Sequence, residues 1–168
     1  MTQKTAVVAL DGEGLRFSAT SGSGHSIVLD DAHGDMGIRP AELVPMALAG
    51  CTAMDVASIL RKKRQPFTAY EVRANGTQRD ELQPAIFTRI DILHVVDGAP
   101  ELDPDAVRRA IELSATRYCS VGGTLGTGAT EVHHSYLVRR PGLEDASAEV
   151  IVEGPYHGYP VPAAETAD

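Results

Sequence analysis

Three observations along the chain predict an α+β domain. Short β-branched segments divided by glycine-rich gaps come first. One long, almost wholly apolar helical stretch follows. The remaining strands and a well-capped helix do not alternate in the strict β-α-β order that builds a parallel sheet. At 168 residues the chain is long enough for one real core and too short for two.

Thr5 to Leu10, Leu15 to Thr20 and His25 to Asp30 read as strands. The gaps between them, Asp11-Gly12-Glu13-Gly14 and Ser21-Gly22-Ser23-Gly24, have the length and composition of hairpin turns. After a polar loop from Asp30 to Gly37, a helical pattern runs from Pro40 to Arg64. Between Leu43 and Leu60 only Thr52, Asp55 and Ser58 interrupt its apolar character. A helix apolar on nearly every face needs cover on most sides. Pro45 belongs in a first turn, so the regular helix starts near Ala41 to Leu43 or is kinked there.

Phe67 to Gln78 alternates, with Tyr70, Val72 and Ala74 on one side and Glu71, Arg73 and Asn75 on the other. Phe87 to Val96 does so less cleanly, and a loop with Pro84 joins the two as a long hairpin. A second helix opens with Asp103 as N-cap, Pro104 at the first helical position and Asp105 near the positive helix end. Its face of Val107, Ala110, Ile111, Ser114 and Ala115 runs to Tyr118-Cys119, where Gly122-Gly123 is expected to break it. A final strand spans Ala129 to Arg139. Residues 1–140 thus form the domain. Residues 141–168, rich in Pro, Gly, Ala and acids, read as a tail that is mobile or docked on a partner subunit through Pro155-Tyr156-His157-Gly158-Tyr159-Pro160.

A net charge of −8 argues against a nucleic-acid partner, which asks for a basic footprint. The one basic run, Arg61-Lys62-Lys63-Arg64, suits the last turn of a helix. No signal-peptide pattern opens the chain, and no uninterrupted apolar run reaches the ~18 residues of a membrane span. The expectation is a cytoplasmic protein with neither nucleic-acid nor membrane partner. In a reducing compartment its two cysteines point to catalysis, redox sensing or plain burial rather than a structural staple.

Cys51 sits mid-helix among small neighbours, in Ala49-Gly50-Cys51-Thr52-Ala53. Cys119 lies far along the chain, so no C-x-x-C site exists, and two thiols alone make a poor metal centre. Free cysteines are often small buried hydrophobes. Redox work needs more: a thiolate that attacks peroxide oxygen, and a second thiol that captures the sulfenic acid as a disulfide. His133 and His134 are adjacent on a strand and face opposite sides, so they form no joint chelate, and no histidine spacing matches a zinc pattern. Asp55, one helical turn after Cys51, is either a pocket acid or a structural one, and beside a thiol it would raise the thiol pKa.

Arg39-Pro40-Ala41-Glu42-Leu43 with Ala47-Leu48-Ala49-Gly50-Cys51-Thr52-Ala53-Met54-Asp55-Val56 resembles the P-x-E-L and G-G-C-x-A-x-D-V signature of OsmC-like proteins. Leu113-Ser114-Ala115 and Tyr118-Cys119-Ser120-Val121 resemble their second-cysteine motif. Gly24-His25-Ser26-Ile27-Val28 and His134-Ser135-Tyr136 extend the match. The resemblance implies an intertwined homodimer in which antiparallel sheets wrap two central helices, an answer to the helix too apolar for one small chain. It implies a thiol-dependent peroxidase that reduces organic hydroperoxides in oxidative and osmotic stress defence. Cys51 would attack, Cys119 would resolve, a small dithiol would restore the pair, and no cofactor would be needed.

The hydroperoxide-reducing branches place a glutamate ten residues before the first cysteine, where this chain has Ala41. Glu42, nine before, resembles the YhfA-like branch. Candidates for the thiolate-stabilising cation are Arg39, Arg16 and His25, with Arg39 placed just ahead of the site helix. Arg39 and Glu42 are therefore taken with the two cysteines as catalytic candidates, and His25, Met54 and Asp55 as substrate-binding ones. The departure at Ala41 keeps two other functions open: a non-catalytic redox sensor, and a dimer that binds an acyl or other small molecule in an apolar interface pocket.

Overall fold

The computed structural model describes residues 3–152, which fall into two compact units divided at Met46/Ala47. The first unit is a three-stranded antiparallel sheet of β1 (Ala6–Leu10), β2 (Phe17–Ser21) and β3 (Ser26–Leu29), in that order. Its turns use glycine where the backbone demands it. Gly12, Gly14 and Gly24 all take φ above +80°, a region that L side chains avoid. The apolar side chains of β1 stay exposed within the single chain, with Val7 at 69% and Leu10 at 60%. The loop after β3 is organised by the buried carboxylate of Asp30, which accepts from the amides of Asp31 (2.8 Å) and Met36 (3.1 Å).

The apolar stretch begins as a tight turn over Pro40–Glu42 and becomes helix α1, Leu43–Lys62, with Pro45 in its first turn. That position needs no amide donor, so the proline is accommodated. From Leu48 onward every fourth residue (Leu48, Thr52, Val56, Leu60) is buried. The opposite side carries exposed Met46, Gly50 and Met54. The expectation that no stretch is apolar enough to span a membrane needs correction. Residues Pro40–Lys62 pass by length and composition, with a mean hydropathy of 1.7 in the best window. Isolated Thr52, Asp55 and Ser58 break the apolar run in the sequence without lowering the average enough.

The second unit holds the four-stranded sheet β4 (Phe67–Gln78), β5 (Phe87–Gly98), β6 (Glu131–Arg139) and β7 (Ala146–Val150), in chain order. Pairing is antiparallel except between β5 and β6, which run parallel. A parallel neighbour needs a crossover. It is supplied by α2 (Pro104–Leu113), one wide turn of π type (Ser114–Tyr118) and α3 (Ser120–Gly126). As expected, Asp103 caps α2, its side chain accepting from the Asp105 amide at 2.9 Å. Val56 and Leu60 of α1 meet Val107 and Ile111 of α2 and Val96 and Val138 of the sheet in the core.

Two expectations fail here. Gly122-Gly123 does not end a helix; it lies inside α3. The break comes earlier, at Cys119, whose extended backbone (φ −71°, ψ 94°) resets the chain and starts a new helix. Ala129 to Arg139 is not the last strand either, since Ala146–Val150, read as the start of the tail, forms β7. Its pairing on β6 was invisible in a Pro-, Gly- and acid-rich stretch. The Pro155-to-Pro160 segment lies outside the described residues.

Candidate functional site

Helix α1 and the α2–α3 connection bring Cys51, Asp55 and Cys119 together. One oxygen of Asp55 and the two sulfurs all lie within 4.8 Å of one another. Cys51 and Asp55 are one helical turn apart, so they share a face of α1. Cys119 reaches them because the wide turn before it shifts the helix path by one residue. Its amide donates to the Ser114 carbonyl at 2.9 Å, five residues back. Such single π turns occur often at functional sites.

Cys119 is buried and Cys51 half-buried. Burial, then the adjoining Cys51 sulfur, push the Cys119 thiol up to about 12, with the Asp55 charge adding to the rise. The Gly122 amide, which donates to Cys119 Sγ at 3.3 Å, works the other way. Cys119 is therefore a protonated thiol at neutral pH. Asp55 is held by Ser114, whose hydroxyl lies 3.0 Å from Asp55 Oδ2 and 3.0 Å from Thr52 Oγ1. Both Ser114 and Thr52 are fully buried, so this small hydroxyl network sits in the dry layer behind the thiols. Two thiols and a carboxylate this close could also hold a soft cation. Their sequence spacing gave no sign of such a donor set.

The helix-facing side of the sheet carries a second polar row. Tyr70 Oη lies 2.7 Å from His94 Nδ1, and His94 Nε2 lies 3.2 Å from His134 Nδ1. The rings stack at centroid distances of 6.0 and 5.5 Å. Burial holds His94 down to about 3 and His134 to about 4, so both are neutral at pH 7. Burial and the Asp55 charge push the Tyr70 phenol up.

The other sequence candidates sit in the first unit or on the surface. Arg39 and Glu42 are paired with each other. The Arg39 amide donates to Glu42 Oε2 at 3.0 Å, and the guanidinium lies 3.8 Å from Glu42 Oε1 and 2.8 Å from Asp35. Both close the turn that leads into α1. Arg16 pairs with Asp11 at 3.3 Å, and His25 is exposed at the β2–β3 turn. Met54 is 76% exposed on the open face of α1. Asp55, of the substrate-binding candidates, lies beside the thiols. Ser114, Thr52, Tyr70 and His94 were not singled out. Their signal was faint: a hydroxyl on the apolar stripe of each helix, and a lone tyrosine and histidine at buried positions of alternating strands.

A family model described as OsmC-like protein matches residues 32–135. Protein YhfA of Escherichia coli (strain K12) is 44% identical over 126 residues, covering 75% of this chain and 92% of that protein. A hypothetical protein from Aquifex aeolicus VF5 superposes with a TM-score of 0.73 at 28% identity, over 83% of this chain and 98% of that one. An organic hydroperoxide resistance protein from Elizabethkingia anophelis shares the fold, with a TM-score of 0.60 at 14% identity over 83% and 97% of the two chains.

Proposed function

The chain belongs to the OsmC-like family, and from that membership and the geometry of its thiols we propose that it is a thiol-dependent peroxidase for organic hydroperoxides. The observation that carries the reading is the approach of Cys51 and Cys119 sulfurs to within 4.8 Å from distant parts of the chain. Two free thiols so placed need little movement to form a disulfide, whose Cβ atoms sit ~3.8 Å apart.

The half-buried Cys51 is the thiol a peroxide can reach. Its thiolate attacks the terminal peroxide oxygen, the O–O bond breaks, and the alcohol leaves with a proton, giving Cys51 sulfenic acid. Cys119 then attacks that sulfur. The disulfide forms, and the sulfenic oxygen leaves as water with the Cys119 proton. A small dithiol reduces the disulfide and closes the cycle. Burial of Cys119 suits the second role: a thiol held protonated is slow to react with peroxide itself. Ser114, itself bonded to Thr52, fixes Asp55, the acid in the site able to take part in these proton movements.

The same reading includes a homodimer in the cytoplasm. Its support is apolar surface that each unit leaves exposed: Val7, Val8 and Leu10 on β1, and Met46 and Met54 on α1. A redox sensor without turnover is the second reading, favoured by Ala41 in place of an acid. The test is one equivalent of an organic hydroperoxide on reduced protein, mass analysis, then dithiol. A Cys51–Cys119 disulfide that cycles supports the peroxidase, one that forms without cycling supports the sensor, and unchanged thiols reject both. Cys51→Ser protein that consumes peroxide as fast as the native chain also rejects the peroxidase.

A further inference from the structure

Cys119 lines a cavity that Cys51 does not. A cavity of about 580 Å³ lies where α3 and the wide turn meet strands β6 and β7. Ala115, Cys119, Gly122, Val132, His134 and Val150 form its wall, and neither Cys51 nor Asp55 belongs to its lining. His134, 94% buried, is a polar group of this wall that the peroxidase cycle leaves unused.

The buried row behind His134 sets which of its nitrogens carries the proton. A phenol is a far stronger acid than a neutral imidazole, so Tyr70 is assigned as donor to His94 Nδ1. His94 then carries its proton on Nε2 and donates to His134 Nδ1. His134 is left with its proton on Nε2, the ring end away from His94. Both bonds of the row are satisfied with Tyr70 protonated and both rings neutral. That matters for two imidazoles that burial keeps neutral.

We propose that this cavity is a thiol-exchange site, separate from the approach to Cys51, where a small uncharged thiol gives its proton to solvent and attacks, as thiolate, Cys119 of the oxidised pair beside His134. The proposal rests on the two-cysteine reading above. Displacement at a disulfide is in line, so a thiolate that expels Cys51 must come at Cys119 from the side away from Cys51, and a cavity lined by Cys119 but not by Cys51 suits that approach. The new bond joins the incoming sulfur to Cys119 Sγ, the Cys119–Cys51 bond breaks, and its electron pair leaves with Cys51 as thiolate. A second thiol then attacks the incoming sulfur, and Cys119 departs with the bond's electron pair and takes up a proton. The net change is one external disulfide made and one internal disulfide reduced. Asp91, Glu131 and Glu149 against the single permanent cation Arg89 stand at the cavity mouth, and this disfavours anionic thiols.

The test needs no peroxide. The protein is oxidised with diamide, treated briefly with 2-mercaptoethanol, quenched in acid, alkylated and mapped by peptide mass. The expected product carries mercaptoethanol on Cys119 and the alkyl label on Cys51. The adduct on Cys51 overturns the proposal and leaves the peroxidase reading intact, whereas failure of diamide to form the Cys51–Cys119 disulfide overturns both. As a second variant measurement, Ala115→Leu fills the cavity wall. It should slow reduction of the disulfide by dithiothreitol about tenfold or more, while oxidation of Cys51 in the reduced variant by one equivalent of hydroperoxide keeps its rate. Equal dithiothreitol rates in variant and native protein overturn the proposal.

Discussion

Lowering the pH from 7 to 5 charges fully hydrated histidines, and unfolding fully hydrates His94 and His134. In the folded chain these rings are 0% and 6% exposed, and burial holds them to about 3 and about 4. Unfolded histidine titrates near ~6.5. The sign follows from linkage: below ~6.5 the unfolded state binds up to two protons that the folded state refuses, so stability falls as pH falls. The stabilisation is complete above the unfolded value. It is lost progressively through the window down to about 4 for His134 and about 3 for His94. Each proton contributes ~1.4 kcal/mol per pH unit, and with the curvature near the unfolded value the pair removes about 3–4 kcal/mol between pH 7 and 5. That is a large share of a typical ~5–15 kcal/mol. Urea titrations at half-unit pH steps read this directly. The native slope should approach two protons near pH 5, and His134→Gln should bring it close to one. A native stability unchanged from pH 7 to 5, or an equal slope in the variant, would refute the buried-pair account.

Ser114→Ala removes the hydroxyl that donates to the half-buried Asp55 carboxylate and accepts from the buried Thr52 hydroxyl. It should cost about 2 kcal/mol, a melting shift of about 4–8 °C by calorimetry; adding Thr52→Val should recover part of that. Gly98→Ala should destabilise strongly, because a Cβ there would meet the Pro66 carbonyl oxygen at 2.6 Å, and a lowered denaturation midpoint checks it. Gly122→Ala is the contrasting case. Its Cβ would meet Cys119 Sγ and Leu48 Cδ1 at an ordinary 3.4 Å, so the helix gain of about 0.5–1 kcal/mol should appear as a raised midpoint.

What the sequence showed and what it hid have physical causes. Strand β4 was legible to its last residue because Tyr70, Val72 and Ala74 alternate with charged or polar partners. The start of α2 was legible because Asp103-Pro104-Asp105 is a local signal. Cys51 and Cys119 were legible as a pair through their flanking motifs, and Asp55 through its one-turn spacing. The wide turn at Ser114–Tyr118 was hidden, since one extra residue in a helical pattern leaves the apolar face readable on both sides. The Tyr70–His94–His134 row was hidden for a different reason. It joins three strands, two of them parallel neighbours, and no local pattern encodes that register. His134 could be assigned a face opposite His133, but not a partner.

The open face of α1 yields the sharpest test of assembly. Leu48, Thr52, Val56 and Leu60 pack inward, while Met54 on the other side is 76% exposed and Met46 53%. One packed stripe accounts for only part of a helix whose best window has mean hydropathy 1.7. A second copy of the chain is the occupant we propose for the rest, and a two-fold contact makes each substitution count twice. Burying a methionine side chain contributes about 1.5–3 kcal/mol. Met54→Lys should therefore weaken a dimer by at least about 3–6 kcal/mol, or two to four orders of magnitude in Kd. In a lone chain the same change replaces one exposed side chain by another and should leave the melting midpoint almost untouched. Light scattering across a dilution series separates the cases. A native mass of two chains that falls to one in the variant supports the paired helices; a native protein that is monomeric throughout, or a variant as dimeric as the native chain, removes Met54 from any such interface.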